Sequence, residues 1–433
     1  MKILLTAVNA KYIHSNLAIY SLSSYAEKML SQDVALSVMP EIEIAEYTIN
    51  QPVSKIITDI YRKKPDVLFL SCYIWNRKEI EEIAADMGKV RPDMDIWLGG
   101  PEVSFDSVEM LEQLTNVKGV LRGEGEDTFY NVVRAYAERG GSPDERLYTM
   151  EGVTFRDIKG DIIVGPDSRT LDLSQVPFPY ETLEGFEHRI IYYESSRGCP
   201  FRCSYCLSSV EKTLRFRDME LVKKELAYFI ERKVPQVKFI DRTFNCSHER
   251  AAEIWRYIRD HDNGITNFHF EIAGDLLKEE ELELLRGMRP GQVQLEIGVQ
   301  STNEKTLREI DRPMDFAYLS RVVRSIKECN NVHLHLDLIA GLPFEDYESF
   351  SRSFDDVFAL RPHQLQLGFL KVLKGSPMEK RCVSYGLKHT ELPPYEVMET
   401  NWITYDDLIK LKSVEEMVEV YYNSCRLYTS RCV

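Results

Sequence analysis

The sequence predicts an α/β protein: a five-stranded, doubly wound parallel sheet, a partial (β/α)6 barrel, and a short helical C-terminal region. Three observations carry that expectation. Short apolar runs alternate with amphipathic stretches over residues 3–139, and a second such series runs from Ile190 to Phe369. Parallel neighbours need crossover connections, so this alternation reads as parallel sheet. Between the two series, residues 152–180 hold a turn at Lys159-Gly160 and prolines at 166, 177 and 179, which is linker composition. The length of 433 residues suits two or three domains at roughly 150 residues each. The expected boundaries are 1–142, a linker with a small hairpin over 143–186, a barrel over 187–377 and a helical region over 378–433.

In the first series the expected strands are Ile3–Val8, Val34–Met39, Val67–Ser71, Ile96–Leu98 and Val117–Leu121. Helical periodicity falls on Leu17–Leu30, Ser54–Arg62, Lys78–Val90, Asp106–Leu114 and Asp127–Arg139. Ligands of such sheets sit beyond the carboxyl ends of the strands. Those ends read Asn9-Ala10-Lys11-Tyr12, Ser71-Cys72-Tyr73-Ile74-Trp75-Asn76, Gly99-Gly100-Pro101-Glu102 and Gly123-Glu124-Gly125-Glu126. Glycines there admit a ligand close to the backbone, although Gly-Gly-Pro is also an ordinary turn. No GxGxxG follows the first strand and no GxxxxGK[ST] occurs, so neither a dinucleotide nor a P-loop nucleotide is favoured.

The net charge is -15 and no run of five or more basic residues occurs, so nucleic acid is not an expected partner. The N-terminus reads as a first strand rather than a signal peptide, and no stretch reaches ~18 apolar residues. A cytoplasmic protein with no membrane partner is expected. Nine cysteines, an odd number, argue against a disulfide scaffold.

Three of them stand together. SSRGCPFRCSYC places Cys199, Cys203 and Cys206 in a C-x3-C-x2-C spacing directly after the strand Ile190–Glu194. Thiolates suit zinc or iron–sulfur clusters. Structural zinc wants four closed ligands, and no fourth Cys or His follows at short spacing. Three thiolates would leave one iron of a four-iron cluster open, which is what chemistry needs. The other barrel strands are expected at Val237–Ile240, Phe268–Ile272, Val293–Val299, Val332–Ile339 and Gln364–Phe369. Period-2 geometry puts Glu296, Gly298 and Gln300 on one face, His333, His335 and Asp337 on another, and His269, Glu271 and Ala273 on a third. Their opposite faces are apolar. Polar faces converging inside a barrel call for a polar guest or for a mutually satisfied network.

These features resemble the radical S-adenosylmethionine (SAM) superfamily over roughly Tyr192 to Pro377. The resemblance implies a 4Fe-4S cluster on Cys199, Cys203 and Cys206 whose open iron chelates SAM, with Tyr205 covering the cluster. It implies that Gln300, in Gly-Val-Gln-Ser, and Glu271 hydrogen-bond SAM; Glu296, on the same face as Gln300, is counted with the cofactor-binding residues. Arg312 resembles the arginine that pairs with the SAM carboxylate; a surface ion pair with Glu309 or Asp311 is the alternative. Asp337 resembles the carboxylate that holds the ribose hydroxyls. The usual Gly-Gly-Glu turn is replaced by FIDRTFN, so Asp241 and the backbone after it are expected to take the amino group. Cys246, just beyond, is expected to be a buried thiol. An electron donor such as flavodoxin or ferredoxin is the implied partner, alongside a small-molecule or peptide substrate.

The first domain then resembles the Rossmann-like (flavodoxin-like) cobalamin-binding domain of cobalamin-dependent radical SAM enzymes, with WLGGPEVS and VLRGEGE as its fourth- and fifth-strand loops. Asp-x-His-x-x-Gly is absent and His14 lacks that spacing, which fits a base-off cobalamin with no axial His. Asn9, Lys11, Tyr12, Ser71, Tyr73, Trp75, Asn76, Gly99, Gly100 and Glu124 are the expected lining. The implied reaction is methyl transfer to an unactivated carbon. Cyclisation, other oxidoreductase chemistry or sulfur insertion with vestigial cobalamin binding is the alternative within enzymes, and an iron–sulfur electron-transfer or sensor module is the alternative outside them.

Overall fold

A computed structural model describes residues 1–34, 36, 39–138, 145–210 and 213–424. The chain divides into two compact units, Met1–Ile191 and Tyr192–Val433. The first is built on β1 (Lys2–Asn9), β2 (Glu41–Thr48), β3 (Val67–Ser71), β4 (Asp95–Gly99), β5 (Gly119–Leu121), β6 (Val153–Arg156) and β7 (Ile162–Val164), in the order β2-β1-β3-β4-β5-β6-β7. Strands β1 to β5 pair in parallel, whereas β5–β6 and β6–β7 are antiparallel. The central strands read as continuous apolar runs because both faces are covered. On one face Leu4, Leu68, Ile96 and Val120 pack with Ile56, Ile60, Ile80, Ile83 and Met87. On the other, Ile3, Val67, Phe69 and Trp97 pack with Ile19, Ala26, Leu30, Phe129 and Val133. Helices Leu17–Ser31 and Glu126–Glu138 thus cover one side, and Val53–Lys63 and Arg77–Val90 the other.

Two expectations change here. Of the expected strand Val34–Met39, residues 35, 37 and 38 lie outside the described residues, and the second strand is Glu41–Thr48. It is an edge strand, where Glu41 meets water and Glu43 pairs with Lys2 and Lys63, which keeps the alternation inconspicuous. The hairpin at Lys159-Gly160 forms as expected but adds two antiparallel strands to the sheet instead of standing in a linker.

The second unit carries a six-stranded sheet in the order β15-β14-β13-β12-β11-β8. Its strands are β8 (Ile191–Tyr193), β11 (Gln236–Phe239), β12 (Asn267–Ile272), β13 (Val293–Gln300), β14 (His333–Ala340) and β15 (Gln364–Phe369), parallel from β11 to β15. A two-stranded pair, β9 (Ser196–Arg197) with β10 (Arg215–Phe216), brackets the cysteine loop. Outward-facing Leu295, Ile297, Leu334, Leu336 and Leu338 are at most 1% exposed. Outside β11 and β12, Phe239, Phe244 and Trp255 meet Phe270 at ring distances of 4.5, 4.3 and 5.9 Å.

The C-terminal region is mixed rather than wholly helical. A hairpin of β16 (Lys388–His389) and β17 (Val397–Glu399) precedes the helix Tyr405–Met417, which widens into a π-helical turn over Val418–Asn423. There Asn423 lies against the edge strand β15: its carboxamide donates to the Leu365 carbonyl at 2.8 Å and accepts the Leu365 N–H at 3.0 Å.

Candidate active site

The cysteine loop begins where β8 ends. Gly198 turns it at φ +94°, and a Cβ there would lie 2.3 Å from the Thr213 carbonyl, so only glycine fits. The loop is fastened on both sides: the Ser204 N–H donates to the Ile310 carbonyl at 2.9 Å, and the Ser204 carbonyl accepts from Met378 at 2.8 Å. Cys203 is buried, while Cys199 and Cys206 are half-buried, with Cys199 Sγ 3.5 Å from Thr243 Oγ1.

Arg312 reaches this loop from the segment after β13. Its Nη1 is 3.6 Å from Cys203 Sγ, and its Nη2 donates to the Gly298 carbonyl. Of the carboxylates offered as its surface partners, Asp311 faces Arg381 and Glu309 accepts from the Tyr385 hydroxyl. Burial pushes the Cys203 thiol up, and the guanidinium opposes that. Burial also raises Tyr205, against the pull of the same guanidinium.

The inward faces meet as their register dictates. Glu271 lies opposite Glu296, Glu296 opposite His335, and Gly298 opposite Asp337. Glu296 Oε2 is 3.0 Å from both Lys238 Nζ and His269 Nε2; against the cost of burial, these partners hold its carboxyl down at about 2. Lys238 also stands 3.6 Å from Glu271 Oε1, and His335 Nε2 is 3.0 Å from Asp337 Oδ1. Burial raises both Glu271 and Asp337. Gln300 ends β13 at φ +70°, just past a register shift, and its buried Oε1 has no partner among the described residues. Behind it the Ser301 and Ser353 hydroxyls donate to Glu345 Oε1 at 2.7 and 2.8 Å; burial lifts that carboxyl to about 7.

Asp241 departs from its expected role. It is 1% exposed, and its oxygens accept from the Ser195 N–H (3.0 Å), Ser195 Oγ (2.7 Å) and Ser196 Oγ (2.5 Å). It braces the start of the cysteine loop and has no free edge for an amino group. Burial holds its carboxyl up at about 6, against those hydrogen bonds. Cys246 is half-buried, its thiol raised by burial to about 11.

At the carboxyl edge of the first sheet, Asn9 and Asn76 also differ from expectation. Asn9 is 4% exposed and spends its amide on the His14 carbonyl and Glu46; Asn76 is fully buried and ties the Val8 and Ser71 carbonyls to the Tyr73 N–H. Both are fasteners of the loops, not open ligands. Ser71 Oγ accepts from Asn16 at 3.2 Å, and Glu124 Oε2 accepts the Leu171 N–H at 3.1 Å. Gly99 ends β4, and Gly100 follows at φ +113°, where a Cβ would meet the Cys72 carbonyl at 2.4 Å. Lys11 is exposed, as are Tyr12 (62%) and Trp75 (42%), and Trp75 stacks on Tyr73 at 4.4 Å. Glycine backbone beside exposed flat rings suits a large planar ligand.

Sequence reasoning missed Lys238 and Glu46. Lys238 was available from the alternation of Val237 and Phe239, which turns it inward. Glu46, 6% exposed, gathers Asn9, Asn16, Tyr20 and Arg189. It lies on β2, whose charged edge position hides it from the apolar alternation.

Comparison with known proteins bears on both units. Residues 193–357 match the radical SAM superfamily, residues 3–133 the B12 binding domain, and residues 383–431 a family described as a protein of unknown function (DUF4080). The chain is 26% identical over 405 residues to the cobalamin-dependent radical SAM methyltransferase TokK of Streptomyces tokunonensis, covering 84% of this chain and 57% of that protein. It is 26% identical over 404 residues to the 2-(S-pantetheinyl)-carbapenam-3-carboxylate methyltransferase of Streptantibioticus cattleyicolor, covering 83% of this chain and 57% of the relative. Among solved structures, the radical SAM methyltransferase TsrM of Kitasatospora setae, with cobalamin and a 4Fe-4S cluster bound, superposes with a TM-score of 0.72 at 17% identity, over 91% of this chain and 82% of that one. The chain thus carries a B12-binding domain, residues 3–133, ahead of a radical SAM domain, residues 193–357.

Proposed function

We propose that this protein is a cobalamin-dependent radical SAM enzyme that transfers a methyl group to an unactivated carbon. The observation that carries the reading is the meeting of the C-x3-C-x2-C loop with Arg312, Nη1 3.6 Å from Cys203 Sγ, at the rim of an inward-facing polar barrel. The donor set fits the groups it would hold: three thiols for three irons of a cluster, a guanidinium for a carboxylate, and an unpartnered Gln300 Oε1 for an N–H donor. When bound, the cluster and SAM supply a 5'-deoxyadenosyl radical by reductive cleavage, and cobalamin supplies the methyl carrier. The chain's own part is to bind, orient and shield. Cys199, Cys203 and Cys206 hold the cluster, with Arg312 stabilising negative charge beside it. Glu271, Gln300 and Asp337 orient SAM. Tyr12, Tyr73, Trp75 and the Gly99-Gly100 turn receive cobalamin without an axial imidazole. A flavodoxin or ferredoxin delivers the electron, and the substrate is a small molecule or peptide.

The test is to purify the protein without oxygen, reconstitute the cluster, add cobalamin, and measure retained cobalt, 5'-deoxyadenosine and S-adenosylhomocysteine. All three are expected. No deoxyadenosine under reducing conditions overturns the radical reading, and deoxyadenosine without retained cobalt leaves radical chemistry without the methyl carrier.

A further inference from the structure

Lys238 lies inside the barrel, yet no part of the reaction described above uses it. It projects inward from β11 in register with His269 of β12, and only 22% of its side chain is exposed. Burial disfavours its ammonium, but Glu296 and Glu271 more than offset that, so it stays charged. The carboxylates it meets stand directly opposite one another across β12 and β13. Their demands on it differ. Glu296 has a second partner in His269, at 3.0 Å, whereas the one ion pair of Glu271 among the described residues is its 3.6 Å approach to Lys238. Glu271 keeps 31% of its side chain exposed, so it retains acceptor capacity for a ligand.

The charged and titratable groups facing Glu271 are few. Burial opposes its ionised form most strongly; Lys238 from β11 and Arg242 just beyond that strand favour that form, while Glu296 from β13 and Asp337 from β14 add to the opposition. Tyr192 of β8 also faces it and keeps its proton, because burial raises its hydroxyl. With Lys238 gone, Glu271 would face two carboxylates with Arg242 alone in support. A carboxyl so placed takes up a proton, as paired carboxyls do. It would then expose a hydroxyl donor where the ligand needs an acceptor.

We propose that Lys238 is a positioning residue for SAM: by bridging Glu296 and Glu271, it keeps Glu271 an open acceptor inside the barrel. This rests on the reading that Glu271 hydrogen-bonds SAM, and the experiment separates the two. Cluster-reconstituted, cobalamin-loaded wild type, Lys238→Met, Lys238→Arg and Glu271→Gln are compared by equilibrium dialysis with labelled SAM. No reductant is present, and pH runs from 6 to 9. The iron–sulfur absorption of each variant checks that the cluster and its loop are intact.

Wild type and Lys238→Arg are expected to bind with little pH dependence, and Glu271→Gln to bind weakly at every pH. Lys238→Met is expected to lose about tenfold in affinity for each pH unit below the point where Glu271 takes its proton, and to recover at high pH. If Glu271→Gln weakens binding while Lys238→Met matches wild type, or loses affinity equally at all pH values, the role of Lys238 is overturned. If Glu271→Gln binds like wild type, the assignment of Glu271 to SAM fails, and the proposal fails with it.

Discussion

Replacing Asp241 tests whether the cysteine loop is held from beneath. In the intact protein its carboxylate satisfies one backbone N–H and two hydroxyls, all buried. Truncation to alanine strands those donors, at about 1–3 kcal/mol for each group left unsatisfied. The hydroxyls can turn to other acceptors, so the stranded Ser195 N–H and the lost packing dominate, for a local loss of about 3 kcal/mol. That is more than a hundredfold in the opening equilibrium of the strand end. Asparagine, by contrast, keeps an acceptor for the N–H and an amide for the hydroxyl oxygens. Either substitution also removes a burden, so the loss in alanine is read against asparagine. Holding the carboxyl up at about 6 instead of 3.8 costs the folded state about 3 kcal/mol once the pH is above 6. The sign follows: the unfolded carboxyl ionises from about 3.8 and the folded one only from about 6, so wild-type stability falls as pH rises through that window. Hydrogen exchange on a peptide spanning residues 192–206 reads the local effect, and iron per chain after reconstitution reads its consequence. Asp241→Ala should lose protection and iron; Asp241→Asn should keep both, with less pH dependence between 4 and 6. Equal protection and iron content in Asp241→Ala and Asp241→Asn would refute the bracing role.

Cys203→Ala should abolish the iron–sulfur absorption while cobalamin retention, measured as cobalt, survives, because the two sites are assigned to separate units. Gly100→Ala places a Cβ 2.4 Å from the Cys72 carbonyl at a positive φ, and should cost the first unit about 1–3 kcal/mol. Calorimetry should show a lower Tm, and dialysis should show less retained cobalt. Glu345→Gln should flatten the pH dependence of the barrel's denaturant midpoint. The wild-type carboxyl ionises near 7 when folded and near 4.5 when unfolded, so its burial costs up to about 3 kcal/mol as pH rises across that span.

The alternation of apolar runs made most of the first sheet and all six barrel strands legible, since strands buried on one or both faces announce themselves through residues such as Leu4, Phe69 and Leu336. Strand Glu41–Thr48 was not legible, because an edge strand buries little and carries charge. The three cysteines could be read from spacing, and the inward polar faces from period 2. Asn9, Asn76 and Asp241 show the limit of that reading. A polar residue at a strand's carboxyl end can hold a ligand or hold the loop, and only the partners of its side chain decide which. Lys238 was hidden for a different reason: a lone lysine between apolar neighbours gains meaning only from the carboxylates on the next two strands.

The pairing of Asn423 with Leu365 has a consequence for association. Strand β15 is the last of its sheet, and such an edge offers unpaired N–H and C=O groups to any extended segment that meets it. A carboxamide has the same donor and acceptor as a peptide unit, so Asn423 acts as a one-residue strand that fills the vacancy at Leu365 without extending the sheet. Shortening the chain before Val418, or exchanging Asn423 for leucine, would reopen that edge to a second molecule. The C-terminal turn thereby acts as a guard against sheet-to-sheet oligomerisation.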